Sequence, residues 1–451
     1  MKHPIFSLKN DFYPLIHLLT PLIAVSIVNS ATSFFETLFL AHLSTDVLAA
    51  GALVGWLFAT LVVILFGTLG AINVLISHQH GAKEEQHIVS VVRDGFAVAG
   101  LLLVPTFLLL WNMPPIFLVL GQTPFIVAQA TAYLHPLAWA LLPTLTTTVF
   151  FQFLLGLGRT RVVMVFTLLS TPLTILLSYL LIFGHWGLPA LHIAGAGWGI
   201  MLSNSISAIA LVIYVLRNDR CKAYWKYGFH FKTPSFILEL VRVGLPMGLM
   251  YCAEVGFFLT LMLLMGTLGV QALAANQIVF QYFGPLMAIA FAIAQAVTIR
   301  MGHELGAKNF QAAKRASYAG TSLTVFIMLL AALSYWCFPQ TLIGIDLNVH
   351  DANQAEIIRN AISFFAIAAL FQIFEATRIT MFGALRAFKD THYTLITSII
   401  CFWGIALPVG YFFSRVDQLG GKGLWWGMEL GGVISVLLLF YRLQKKFKTG
   451  A

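Results

Sequence analysis

The stretch LAAGALVGWLFATLVVILFGTLGAINVLISHQHGAK (48–83) decides the fold, because its frame returns as LAANQIVFQYFGPLMAIAFAIAQAVTIRMGHELGAK at 273–308. Both copies open on Leu-Ala-Ala and close on Gly-Ala-Lys, and His78 meets His303 at the same spacing of 225 positions. Each frame encloses an uncharged run of more than 20 residues. A bilayer core about 30 Å thick takes roughly 20 apolar residues in a helix, so each copy contains a membrane span.

Working outward, comparable runs cover the whole chain. Twelve are expected, at 14–40, 47–77, 95–111 (starting nearer 90), 124–155, 162–184, 193–216, 236–267, 271–299, 316–338, 353–385, 392–413 and 423–441. The runs are continuous, without the short alternating segments of an outer-membrane barrel, so the fold class is an all-α membrane protein. Further pairs extend the duplication: Pro21 with Pro246, Gly156 and Arg159 with Gly383 and Arg386, and Gly195-x-x-Trp198-Gly199 with Gly423-x-x-Trp426-Gly427. The expected domains are an N-terminal lobe of spans 1–6 (1–216), a basic cytoplasmic linker (217–234) and a C-terminal lobe of spans 7–12 (235–451). Six spans per half make the repeats parallel, a common plan for transporters that rock about a midplane site.

Composition removes other classes. Apolar residues make up 59% and charged residues 10%, with mean hydropathy +0.88, too few charges for a soluble surface. The four cysteines stand singly and spell neither a disulfide framework nor a metal site. The N-terminal run has no small-residue cleavage pattern, so a cleaved signal peptide is not expected. Of 26 Lys and Arg, nearly all fall in even-numbered connections, the linker and the termini, whereas Arg415 and Lys422 face the other side. By the positive-inside rule both termini are cytoplasmic and the chain sits in the plasma (inner) membrane. The net charge of +9 is then a footprint of topology, and no nucleic-acid partner is expected. There is no GxxxxGK[ST] loop for ATP and no HExxH. No segment is long enough for a soluble catalytic unit, so the chain is not read as an enzyme, and it needs no cofactor and no obligate protein partner beyond membrane lipids. A monomer is expected.

Four acids lie inside spans: Glu36, Glu254, Glu375 and Glu429. A carboxylate in hydrocarbon must face a cavity, pair with a cation or be protonated. Glu254, in PMGLMYCAEVGFF, has no basic residue within one helical turn. It is a candidate for carrying a proton or holding a transient sodium ion, against the alternative of a buried structural hydrogen bond. Pro246, eight residues earlier, frees a backbone carbonyl and would bend the helix near it. Glu375 has Arg378 three residues on and on the same face, either a structural lock or a site where the arginine is displaced. Glu36 lies among aromatics nearer the external end of span 1, and Glu429, beside Trp425 and Trp426, is expected at the interface.

These pieces in order resemble the multidrug and toxic compound extrusion (MATE) exporters, in particular their bacterial cation-coupled antiporters. The resemblance rests on VGLPMG (243–248) followed by Glu254, LAANQI (273–278), IRMGHELGAKN (299–309) with HQHGAK (78–83), and FQIFEATRITMFGALRAFKDT (371–391). It implies two six-helix lobes forming a V-shaped cleft and export of small cationic amphiphilic compounds against inward protons or sodium. It places cation coupling at Glu254 and Glu375 with Gln277 nearby, and at Glu36 in the first lobe. Three departures stand out: Glu375 and Arg378 replace an Asp and a Gln, Phe371 replaces a frequent Tyr, and Thr174 and Ser178 replace an Asn and Asp pair. A first-lobe site would then draw on those hydroxyls and Asn29. The alternatives are a lipid-linked precursor flippase of the same superfamily, which would want a cationic cleft, and a polytopic membrane enzyme.

Overall fold

The computed structural model describes residues 12–225, 235–348 and 354–449, and every regular element among them is helical. The first half holds α1 (Tyr13–Ala41), α2 (Thr45–Gly81), α3 (Glu85–Trp111), the short α4 (Met113–Val119), α5 (Pro124–Gly156), α6 (Thr160–Phe183) and α7 (Ile193–Arg217). A short helix, α8 (Asp219–Trp225), covers the described part of the central linker, whose residues 226–234 lie outside the described ones. The second half holds α9 (Ile237–Gly266), α10 (Val270–Gly306), α11 (Phe310–Cys337), the short α12 (Pro339–Asp346) and α13 (Ala355–Ala387). Its last two spans are Thr391–Arg415, divided into α14 (Thr391–Ser398), a π-helical segment Ile399–Ala406 and α15 (Leu407–Arg415), and α16 (Gly421–Thr449).

Twelve of these helices are long and apolar enough to cross a membrane, matching the twelve expected spans. Span 3 is longer than expected because its polar first turns are given partners. Buried Asp94 accepts hydrogen bonds from Arg93 Nε (2.8 Å) and from the backbone N–H of Phe236 (2.6 Å), just ahead of α9. Large apolar residues such as Leu101, Leu169, Ile209, Leu263, Phe326 and Leu437 are exposed, the reverse of a water-facing surface. α4 and α12, which the sequence reading left as connections, occupy matching places in the two halves, and each carries a proline in its first turn, where the missing N–H costs nothing.

The duplication is visible in the turns. α2, α5, α10 and α13 all end in one motif: a residue in the left-handed region, Lys83 (φ 60°), Gly158 (φ 73°), Lys308 (φ 59°) or Lys389 (φ 58°), followed by one residue and a new helix. In each, the next N–H reaches back five residues: Glu84 to Gln79 O, Arg159 to Leu154 O, Asn309 to Glu304 O, and Asp390 to Leu385 O, at 2.8–3.0 Å. That is a Schellman cap, which satisfies carbonyls that the ending helix leaves open.

The chain forms two compact units, Thr20–Gly248 and Met1–Leu19 with Leu249–Ala451. Each changeover falls beside one of the paired prolines, Pro21 in α1 and Pro246 in α9. In the first unit α7 lies against α6 through glycines: a Cβ on Gly199 would stand 2.4 Å from Ser178 Oγ. In the second, α16 lies against α15 the same way, where a Cβ on Gly427 would stand 2.4 Å from the backbone of Gly410. The paired GxxWG motifs are therefore helix-packing devices, since small residues let membrane helices approach backbone to backbone.

Gly427→Ala should force these helices apart and destabilise the purified protein by about 1–3 kcal/mol, read as a lower melting temperature in detergent. Gly55→Ala, where the added methyl meets open space, is the control and should melt no lower than the parent.

Candidate functional site

In the second unit, three of the sequence-nominated residues meet. Arg378 lies on α13 one turn after Glu375, as the spacing requires, and its Nε donates to Glu375 Oε2 at 2.8 Å while Nη2 donates to Oε1. The guanidinium also reaches α9, where Nη1 donates to Glu254 Oε1 at 2.7 Å. Glu254 is therefore not the unpartnered carboxyl that its own helix suggested; its cation comes from 124 residues away. Ser398 completes the ring, donating to Glu254 Oε1 (3.1 Å) and lying 3.3 Å from Nη1.

Two aromatic rings flank the guanidinium. The rings of Phe382 and Phe402 each lie 4.5 Å from its central carbon, and Phe402 in turn stacks on Phe257 of α9 at 4.7 Å. The π-helical segment explains why Trp403 shares this face with Ser398 and Phe402. Its i→i+5 bonds widen the turn, so residues four and five apart fall on one side. Trp403 falls there too, donating from Nε1 to the carbonyl of Ala253, next to Glu254 (2.9 Å).

One arginine and two carboxylates give the cluster a net charge of −1 when all are ionised. The two acids are not equivalent. Glu375 is held by two parallel bonds and its side chain is 3% exposed, whereas Glu254 receives its bonds on one oxygen and is 9% exposed. Glu254 is the member through which the cluster meets the outside.

The other nominated residues do not join it. Gln277 on α10 is exposed and takes no part in these hydrogen bonds; its neighbour Asn276 is the buried amide. Phe371 sits at the centre of the aromatic core, stacked on Phe283 at 5.6 Å and edge-on to Trp425 at 6.0 Å. Pro246 belongs to the other compact unit. In that unit Thr174 bonds across to Ser203 of α7 (2.7 Å) and Ser178 is buried beneath Gly199, so both serve the α6–α7 seam. Asn29 is exposed. Glu36 is half-buried, with Oε1 lacking a hydrogen-bond partner and Tyr133 of α5 within its electrostatic reach. Glu429, expected at the interface, is 7% exposed. The side of α16 that carries it also carries fully buried Trp425, and it is Trp426 that faces outward. Ser398, Phe382 and Phe402 escaped the sequence reading because a hydroxyl and two rings inside apolar spans carry no signal until the helices are assembled.

Twelve membrane-length helices in two repeats, with an ion cluster largely buried inside one of them, define a polytopic integral membrane protein of the transporter class. The sequence profile of the MatE family matches residues 21–180 and 246–412, one stretch in each half. The chain belongs to that family, the MATE transporters, and is accordingly a transporter and not an enzyme. It is 30% identical over 423 residues to "Probable multidrug resistance protein NorM" of Brucella suis, covering 93% of this chain and 90% of the relative. It is 31% identical over 447 residues to the protein of the same name from Pseudomonas syringae pv. tomato, covering 99% and 96%. Its fold is shared with a eukaryotic MATE transporter (TM-score 0.83, 20% identity, 97% of each chain). It is also shared with an outward-facing multidrug resistance transporter of the family (TM-score 0.87, 18% identity, 97% and 96%).

Removing the cation leaves two acids facing one another out of water. Arg378→Gln should lower stability by about 3–5 kcal/mol, measured as thermal unfolding in detergent, and Arg378→Gln combined with Glu375→Gln should recover part of the loss.

Proposed function

We propose that this chain exports small cationic amphiphilic compounds from the cell by alternating access, and that inward protons drive it. The observation that carries the choice of ion is the position of Arg378. Its guanidinium already fills the place between Glu254 and Glu375 where a coupling cation would be held. A sodium ion seated on Glu254 about 4 Å from that charge would meet a repulsion of about 4 kcal/mol at an effective dielectric constant of about 20. A proton also gives up the Glu254–Arg378 attraction, but it needs no coordination shell beside the guanidinium: it neutralises Glu254 and leaves a matched Arg378–Glu375 pair. Uptake of one proton thus changes the cluster from −1 to 0 and loosens the Glu254–Arg378 ion pair between α9 and α13, leaving the Arg386–Tyr251 hydrogen bond between the same helices. This is the kind of change that biases a two-state element.

The names of the bacterial relatives support multidrug substrates. The lipid-precursor reading is disfavoured by the same geometry, since the one arginine deep in the spans is already matched by two carboxylates and offers no free positive charge to a pyrophosphate. The placement of Lys83, Lys308 and Lys389 in alike turns supports cytoplasmic termini in an inner membrane. The cluster is built from a single chain, so a monomer suffices.

Dye efflux from proteoliposomes, under a pH gradient or a sodium gradient at matched membrane potential, tests the reading. The pH gradient alone should drive export, and Glu254→Gln should abolish driven export while the protein still folds and binds dye. Export that follows sodium and ignores pH would overturn the choice of ion.

A further inference from the structure

The second unit contains a carboxyl that the cluster does not use. Glu429 of α16 is 7% exposed, and its Oε2 has no hydrogen-bond partner. One turn earlier on the same side, Trp425 is fully buried and its Nε1–H also lacks a partner. Three residues later, a Cβ on Gly432 would stand 3.7 Å from Phe371 and Phe374 of α13, and Trp425 is edge-on to Phe371 at 6.0 Å. Positions 425, 429 and 432 recur at i, i+4 and i+7, so the three form one stripe that faces α13 around Phe371 and Phe374, the turn that precedes Glu375.

The ionisable groups on the elements packed against α16 do not supply a counter-charge. On α13, Glu375 and Arg378 are bound to each other, buried Arg386 donates to Tyr251 of α9, and Glu356 and Arg359 are exposed, as is His392 of α14. Cys401 of the π-helical segment is buried; on α15, Arg415 donates to Thr267 and Tyr411 is exposed; and Tyr393 of α14 donates to the carbonyl of Leu438, farther along α16. A buried carboxylate without a counter-charge is costly, and a proton removes that cost by neutralising it.

We infer that Glu429 is a second proton-binding site in this unit, with the Trp425 indole N–H as the donor that receives its carboxylate when the proton leaves. The two orphaned groups are complementary, a donor with no acceptor and an acceptor with no donor, at the i, i+4 spacing that a change of side-chain rotamer can close. Protonated, Glu429 rests in the aromatic core as a neutral acid; ionised, it turns to the indole. Through Phe371 and Phe374 that turn adjoins the helix segment carrying Glu375, so the site would act alongside the arginine cluster. As a contributor to transport, it rests on the proton-driven reading above.

Two measurements test it. In detergent, without any transport, tryptophan emission is titrated with pH in the parent, in Glu429→Gln and in Trp425→Phe. The parent should show a pH-dependent change that disappears in both variants. The same titration in all three proteins would overturn the site. In proteoliposomes, Glu429→Gln should exchange about one proton fewer per dye than the parent and shift the pH profile of efflux, whereas Glu429→Asp should keep the parent's count. An unchanged count and profile in Glu429→Gln would overturn its role in transport. A parent that fails to export dye under a pH gradient would instead refute the proposed function and leave the emission result standing.

Discussion

A guanidinium inside hydrocarbon is tolerable only when its N–H groups are bonded and it is shielded from lipid, and Arg378 meets that condition with groups drawn from three spans. α13 supplies Glu375 and Phe382, α9 supplies Glu254, and the π-widened span supplies Ser398 and Phe402. The bidentate bonds to Glu375 depend on planar geometry, which a lysine could not reproduce. The positions of α9, α13 and the widened helix are coupled for this reason: moving any one uncovers charge. A cluster that is costly to open and carries one surplus negative charge is suited to a device that must rest in defined states and change on binding a single cation.

The two halves share a scaffold but not this chemistry. At the spacing of 225 Glu254 falls on Asn29, and at the spacing of 231 that brings the Gly158 and Lys389 turns together Glu375 falls on Thr144, Arg378 on Thr147 and Ser398 on Thr167. Thr144 bonds back to its own helix at the carbonyl of Ala140. The close crossings persist on both sides: Gly383 meets the backbone of Ala294 and receives Thr298, while Gly156 meets Ile76 and the carbonyl of Asn73. Close packing and turn geometry tolerate little change, whereas a buried polar cluster can be replaced by apolar groups of similar size at little cost to stability. The first half carries its acid elsewhere, at Glu36, whose counterpart is Leu261.

What could be read from the sequence follows from how far each interaction reaches along the chain. The spans and the Gly-Ala-Lys turns are local, so hydropathy and repetition marked them. α4 and α12 were missed because a helix of seven or eight residues is too short to show periodicity. The π-helical segment is as apolar as the α-helix it interrupts and leaves no trace in composition. Half of the cluster was visible, because Glu375 and Arg378 are three residues apart. The other half was not, because the partner of Glu254 lies on another helix. Glu429 was misplaced for a related reason: of two adjacent tryptophans one faces inward and one outward, and the acid follows the inward one.

The changeovers beside Pro21 and Pro246 bear on biosynthesis. The unit Thr20–Gly248 includes the first turns of α9, where Gly244 and Gly248 lie against α2 at Thr68 and Ile64 and Asp94 holds the N–H of Phe236. The six helices that leave the ribosome first therefore lack a piece of their own packing until translation has passed Gly248. They must wait in the membrane, incomplete, for a segment encoded beyond the linker, and a nascent chain halted at the midpoint would be an unfinished assembly instead of a half-transporter.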